Sequence, residues 1–282
     1  MNSQPARLGG VPEAPISATM KTIVARLEGL KRSHCRRRGT KADQRFLWSI
    51  LSCGMAVLIA GCVTAQQVDL DKAANSRLRR IALVPVDPPK NVIVANIGSP
   101  AMAFGAIGGL VAGVNDADHS SAYREMLNSK KVELAPALTA ALQDELRKSG
   151  FEVVTITDQK PTLSADGKTL DYKGIHTDAD ALMVVRLATV GYMSPQFSST
   201  YRPWVAATAI LFDASTKKPI YAKTFSAGYE MKVKNAIHVD TSARFRYGSF
   251  DELSARFDDS VAGLLEGESL IAGLIGRDLK LQ

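Results

Sequence analysis

The sequence predicts an α/β fold, α+β in its arrangement: a single mixed-sheet α/β sandwich with flanking helices, placed after an N-terminal signal peptide. Three observations predict it. Short runs rich in Val, Ile and Leu, bounded by Pro, Gly and Asp, alternate with stretches of helical periodicity. Hydrophobic residues make up 46% of the 282 and charged residues 22%, which suits a chain with a core and not a disordered one. Residues 1–61 hold ten Lys and Arg against three Asp and Glu, so they carry the whole formal charge of +7 and leave residues 62–282 neutral. A neutral body removes the argument for nucleic acid as its partner, although the pI near 9.3 first invites it.

The elements follow in order. Arg80-Ile-Ala-Leu-Val-Pro-Val86 reads as a first, mostly buried strand stopped by Asp87-Pro88-Pro89. Leu134, Leu138, Leu142 and Leu146 recur every four residues and stripe one side of a helix, with Pro136 in its first turn and Gly150 just past its end. Phe151–Ile156 is a second strand, and 157–174 a polar loop with a hairpin-like Ala165-Asp166-Gly167. A third strand spans 181–190, and strands over 204–212 and 220–225 form a hairpin through the polar stretch Asp213–Pro219. Ser249-Phe-Asp-Glu252 is a capping box that opens a last helix striped by Leu253, Phe257, Val261 and Leu264. Gly263, Gly267, Gly273 and Gly276 are expected to weaken that helix. No internal repeat is present.

The leader has its own logic. After Arg36-Arg37-Arg38, an uncharged run of 15 residues from Phe46 to Ala60 is too short for a spanning helix and has the length of the apolar part of a secretory signal. It ends in Ile59-Ala60-Gly61-Cys62, which resembles the lipobox of bacterial lipoproteins. That resemblance implies diacylglyceryl transfer to the Cys62 thiol, cleavage between Gly61 and Cys62, and acylation of the new amino terminus. Val63 in the next position implies sorting to the outer membrane of a Gram-negative cell, with the domain facing the periplasm. The expected organisation is a signal peptide over 1–61, with Met20 as an alternative start, a lipidated tether over 62–78, and a periplasmic domain over 79–282 carrying a Gly-rich insertion at 88–132. Cys35 and Cys53 lie in the leader, so the mature chain has Cys62 alone and forms no internal disulfide.

A second resemblance rests on Arg80–Val86, the helix running into Phe151-Glu-Val-Val154, Ala179–Val185 and the Leu211–Ala222 hairpin. Together these are similar to the periplasmic α/β domain of the TolB amino-terminal region, the curli-secretion lipoprotein CsgG and the lipoprotein activators of penicillin-binding proteins. The resemblance covers about half of the mature chain and implies envelope assembly or partner binding, not catalysis. The insertion departs from it.

Inside the insertion, Gly105, Gly109 and Gly113 stand four residues apart, a spacing that presents a smooth helical groove to another helix. Two readings are open: packing on the domain's own sheet, or membrane contact and self-association. Asp118-His119, His176-Thr-Asp178 and His238-Val-Asp240 could orient an imidazole, but no second His shares a helix with any of them, and solvated turns account for them better. The aromatic group Tyr192, Phe197, Tyr201 and Trp204 reads either as a recognition platform or as a core edge. No Gly-x-Ser-x-Gly elbow and no phosphate-binding loop occurs. The expectation is a non-enzymatic envelope lipoprotein with no catalytic residues, metal or cofactor. Its partners would be the membrane, through its N-terminal lipid, and a periplasmic or outer-membrane protein, with a homo-oligomer also open. The alternative function is an oligomeric membrane-inserting secretion or pore component that uses the glycine-zipper segment 101–114, and an envelope hydrolase is the weakest reading.

Overall fold

The computed structural model describes residues 67–70, 76–89, 91–98, 105–163, 170–196, 198–230 and 235–280; for 105–112 and 114 it describes the backbone alone. The leader, Gly61, Cys62 and Phe197 lie outside the described residues.

The α/β expectation holds: a mixed sheet of seven strands is packed by helices on one face. In chain order the elements are β1 (Arg80–Leu83), β2 (Asn91–Asn96), α1 (Gly105–Ser129), α2 (Leu134–Lys148) and β3 (Glu152–Thr155). A small hairpin of β4 (Thr162–Leu163) and β5 (Leu170–Asp171) follows, then β6 (Ala181–Ser194), β7 (Arg202–Asp213), β8 (Pro219–Gly228) and β9 (Ile237–Val239). A 3-10 turn at Ala243–Phe245 leads to α3 (Phe250–Ala255) and α4 (Phe257–Leu279).

The sheet order is β3-β1-β6-β7-β8-β9, with β2 also on β6. Only β7 runs antiparallel to its neighbours. β6 is long enough, at 14 residues, to carry β1 along Ala181–Met183 and β2 along Thr189–Ser194 of the same edge. Between those stretches the β6–β7 register passes from Leu187↔Ala207 to Thr189↔Ala206, leaving Ala188 as a bulge. Between β1 and β2, along that same edge of β6, the chain leaves the ladder through Pro85, Pro88 and Pro89, which cannot donate to it. The segment read as an insertion therefore supplies a strand of the sheet. The apolar region that begins at Val92 divides into β2, a turn at Ile97-Gly98 and α1.

β2 is an outer strand, and α1 covers it. Ser120 Oγ accepts from the Val94 N–H at 2.9 Å, and the Asp116 carboxylate accepts from Asn96 at 3.0 Å. Helix side chains thus satisfy backbone donors that would otherwise offer a template for another strand.

The helical face of the sheet holds the larger core: Ile81, Leu83, Met183, Leu211 and Phe225 against Leu138, Leu142, Leu146, Leu264 and Ile271. On the opposite face, loop residues Tyr172 and Ile175 cover only the β1 and β6 region, through Ala82, Leu182 and Val184. The leucine stripe of α2 is buried as its spacing predicts, and Gly150, at φ +99, makes the turn into β3.

The last helix differs from expectation. It breaks at Arg256 and then continues as α4 through all four glycines to Leu279. Three of those glycines let it approach closely. A Cβ on Gly263 would lie 2.7 Å from the Tyr192 hydroxyl, one on Gly267 2.9 Å from Val205, and one on Gly276 3.0 Å from the Glu145 carbonyl. Packing gained by close approach outweighs their poor intrinsic propensity.

Candidate functional site

Residues 67–70 are held against the fold. Val68 forms both hydrogen bonds of an antiparallel pair with Ala222 of β8, at 2.8 and 2.9 Å. Gln67 donates its side-chain amide to the Asn235 carbonyl at 2.7 Å. Asp69 meets Lys223 at 3.0 Å, and Lys223 also meets Asp278 near the end of α4 at 2.9 Å. The Tyr221 hydroxyl donates to the same Asp278 carboxylate at 3.0 Å. Lys223 is largely withdrawn from water, with a side chain 15% exposed, so its pair with the part-buried Asp278 is screened less than a surface pair, whereas Asp69 reaches it from solvent. Its two partners raise the Lys223 pKa and hold the charge in place, outweighing burial, which pulls the other way. Leu70 packs on the core behind this clamp.

A cleft of about 420 Å³ opens beside β2, where the chain leaves β6. Pro88 and Pro89 form one wall, Val92, Leu127 and Leu134 the apolar floor, and Arg124 and Glu133 the charged rim. α2 begins at this cleft without a side-chain cap on Glu133. Val86, in the β1–β2 connection, is held by Thr139 of α2 at 3.0 Å. An apolar group with a hydrogen-bonding end suits these walls.

The glycine row lies along α1. Gly105 and Gly109 are part of its backbone, and Gly113 is exposed, with no described atom within 4 Å of an added Cβ. At Gly113, then, the row does not pack on the domain's own sheet.

The histidines are dispersed. His119 stacks on Phe250 at 4.0 Å, His176 sits in the loop before β6, and His238 on β9 lies 3.6 Å from Asp240. Among the described residues no three His, Cys, Asp or Glu side chains gather as a metal site would require.

The aromatic group is divided by the pleat rather than gathered. Tyr192 is paired with Pro203 and Trp204 with Gly191, so the two side chains emerge on opposite faces. Tyr192 is fully buried between Tyr123 and Tyr247, Tyr201 is buried where it bridges to Tyr247, and Trp204 stacks edge-on with Tyr229. The core-edge reading holds for the described members.

Several groups with displaced protonation are buried in the core, and one, Asp213, sits in a turn. Burial raises the hydroxyls of Tyr123, Tyr192 and Tyr221 well above the usual tyrosine range. Burial also pushes the Glu268 carboxyl up to about 9. Asp213, in the turn before β8, is held at about 2 by donors from Ser215 and Thr216. None of these lines the cleft.

No family model matches the chain, and no curated protein matches it. The resemblance to the TolB, CsgG and activator group therefore stays a likeness of motifs. Among solved structures, a PelC dodecamer from Paraburkholderia phytofirmans is similar at 12% identity over 78% of this chain and 98% of that one, with a TM-score of 0.31. Protein XCC0632 from Xanthomonas campestris is similar at 9% identity over 77% and 93%, with a TM-score of 0.34. Lipoprotein GNA1162 from Neisseria meningitidis is similar at 16% identity over 65% and 98%, with a TM-score of 0.26. Superposition at this level is one of outline, and nothing that those proteins do or assemble is transferred by it. Among the described residues no helix is long and apolar enough to cross a membrane.

Proposed function

We propose that the chain is an outer-membrane-anchored, periplasm-facing lipoprotein that has no catalytic activity and binds, or helps assemble, another component of the cell envelope. The observation that carries this reading is the spacing between lipobox and fold. The acceptor Cys62 stands five residues before Gln67, which is tied to Asn235, and six before Val68, which pairs with Ala222 of β8. A cysteine so placed joins acyl chains to a folded body through a short segment, and two or more chains give stable anchoring. The cleft beside Pro88 and Pro89 offers the partner an apolar floor with one cation, Arg124, and one anion, Glu133, at its rim.

The test is the mass of the N-terminal peptide from an outer-membrane fraction, followed by photocrosslinking from Asn128 at the cleft. A peptide beginning at acylated Cys62, and a discrete crosslinked envelope species, is the expected result. A chain that keeps residues before Cys62 and carries no lipid overturns the reading.

The open face at Gly113 favours a second reading, in which α1 pairs with another copy through Gly105, Gly109 and Gly113 to build an oligomer. Detergent-extracted oligomers that fall apart on Gly109→Leu would support it, and a monomer unchanged by that substitution would remove it.

A further inference from the structure

The clamp on the arm dictates which side of the domain can meet the lipid. Val68 runs antiparallel to β8 and occupies its outer edge at Ala222, while β9 occupies that same edge from Phe225 to Ala227. From Val68, the antiparallel direction toward the amino terminus leads to the part of the β8 edge that β9 holds, and Gln67 is tied at Asn235, just before β9. Five residues from Gln67 to Cys62 reach at most about 18 Å when fully extended.

The opposite edge, β3, lies five strand spacings from β9, about 24 Å at 4.8 Å each. The cleft beside β2 lies on the far side of β6 and β7 from the clamp.

We propose that the domain stands on the phospholipid headgroup layer on its β8–β9 edge, with the cleft turned away into the periplasm. The inference rests on the lipid anchor proposed above and adds to it an orientation set by Val68, Asp69 and Lys223. The occupant of this edge is a lipid surface and not a protein, because the chain between the clamp and the acyl group is too short to leave room for a protein between them.

The mature chain has Cys62 as its one cysteine, consumed by lipid, so single introduced cysteines report position without interference. Full-length lipidated protein is placed in phosphatidylethanolamine and phosphatidylglycerol vesicles that carry a headgroup quencher. Fluorophores are attached at Asp240→Cys, exposed at the end of β9, and at Asn128→Cys, exposed at the cleft. The expected result is at least threefold stronger quenching at position 240 than at 128. Adding Val68→Pro, which removes the N–H that bonds Ala222, brings the two values together while the protein stays folded and lipidated.

Equal quenching at the two positions in the unmodified arm, or stronger quenching at 128, overturns the orientation. A contrast that survives Val68→Pro unchanged shows that the clamp does not set it, and equally overturns the proposal. The mass of the N-terminal peptide is taken on every sample. Absence of lipid sinks the anchor and the orientation together, whereas lipid present with equal quenching sinks the orientation alone.

Discussion

The hydroxyl oxygens of Tyr123 and Ser260 lie 2.8 Å apart in the core and join α1 to α4. Tyr192 of β6 donates to the carbonyl of the same Ser260 at 2.8 Å, so helix, sheet and helix meet at one residue. With Ser120 and Asp116 on β2 and His119 on Phe250, this junction holds the second half of α1 against the domain while Gly113 stays open.

Tyr123→Phe removes one buried hydrogen bond and leaves the ring in place. The expected cost is about 1 kcal/mol, read as a lower urea midpoint with an unchanged slope. Amide exchange over 116–127 should accelerate more than exchange in β6, since α1 loses a tie to α4 and β6 keeps its ladder.

Two glycines should respond in opposite directions to the same substitution. Gly191 has φ +143, and a Cβ there would sit 1.9 Å from the Ile93 carbonyl oxygen, so Gly191→Ala must push β2 off β6. The expected loss is about 4 kcal/mol, from backbone strain and overpacking together. Gly113→Ala meets nothing and exchanges a poor helix former for the best one, so a gain of about 1 kcal/mol is expected. Thermal melts of both variants check the pair.

Glu268 is 1% exposed, and neither of its carboxyl oxygens has a partner among the described residues. Its folded pKa of about 9 exceeds the ordinary 4.5, so the folded state holds a proton that the unfolded state releases between those values. The stability that this proton supports is complete below about pH 4.5 and falls as pH rises toward 9, with a slope of up to about 1.4 kcal/mol per unit. Glu268→Gln cannot ionise. It should flatten the profile and raise stability at pH 8 by more than about 1 kcal/mol, as read by urea titration at pH 5, 6.5 and 8.

Ser249 caps α3 by accepting from the Glu252 N–H at 3.1 Å. The Glu252 carboxylate reaches back to the Gly248 N–H at 2.7 Å, one residue earlier than a reciprocal box would place it. Ser249→Ala should cost about 1 kcal/mol. Glu252→Gln, which keeps an acceptor for Gly248, should cost less, and calorimetry of the two variants orders them.

What could be read from the residues depended on how local the cause was. The α2 stripe, its Gly150 turn and the β7–β8 hairpin follow from neighbours a few positions apart, and all three stand in the fold. β2 was hidden because Val92 and Val94 alternate for only a few residues before Ile97-Gly98, within an apolar stretch whose glycines speak of a helix. β9 is three residues long and owes its pairing to β8 alone. The glycines of α4 read as weaknesses because the surfaces that they approach, Tyr192, Val205 and Glu145, come from distant segments. The same holds for the candidate site. Cys62 declares itself through four adjacent residues, but nothing near Val68 announces that it will pair with Ala222, and the cleft needs β2, α1 and α2 assembled before it exists.

The clamp also has an order in time. Gln67 is separated from Asn235 by 168 residues, and the parallel pairing of β1 with β6 is likewise remote in sequence, whereas β6, β7 and β8 form from successive hairpins. Contacts that close long loops form late. On the proposed lipoprotein reading, in which the chain is exported amino terminus first, the latch at Ala222 and Lys223 closes only once Asn235 and Asp278 have followed. Acylation at Cys62 and immobilisation of residues 67–70 would then be successive events that do not compete.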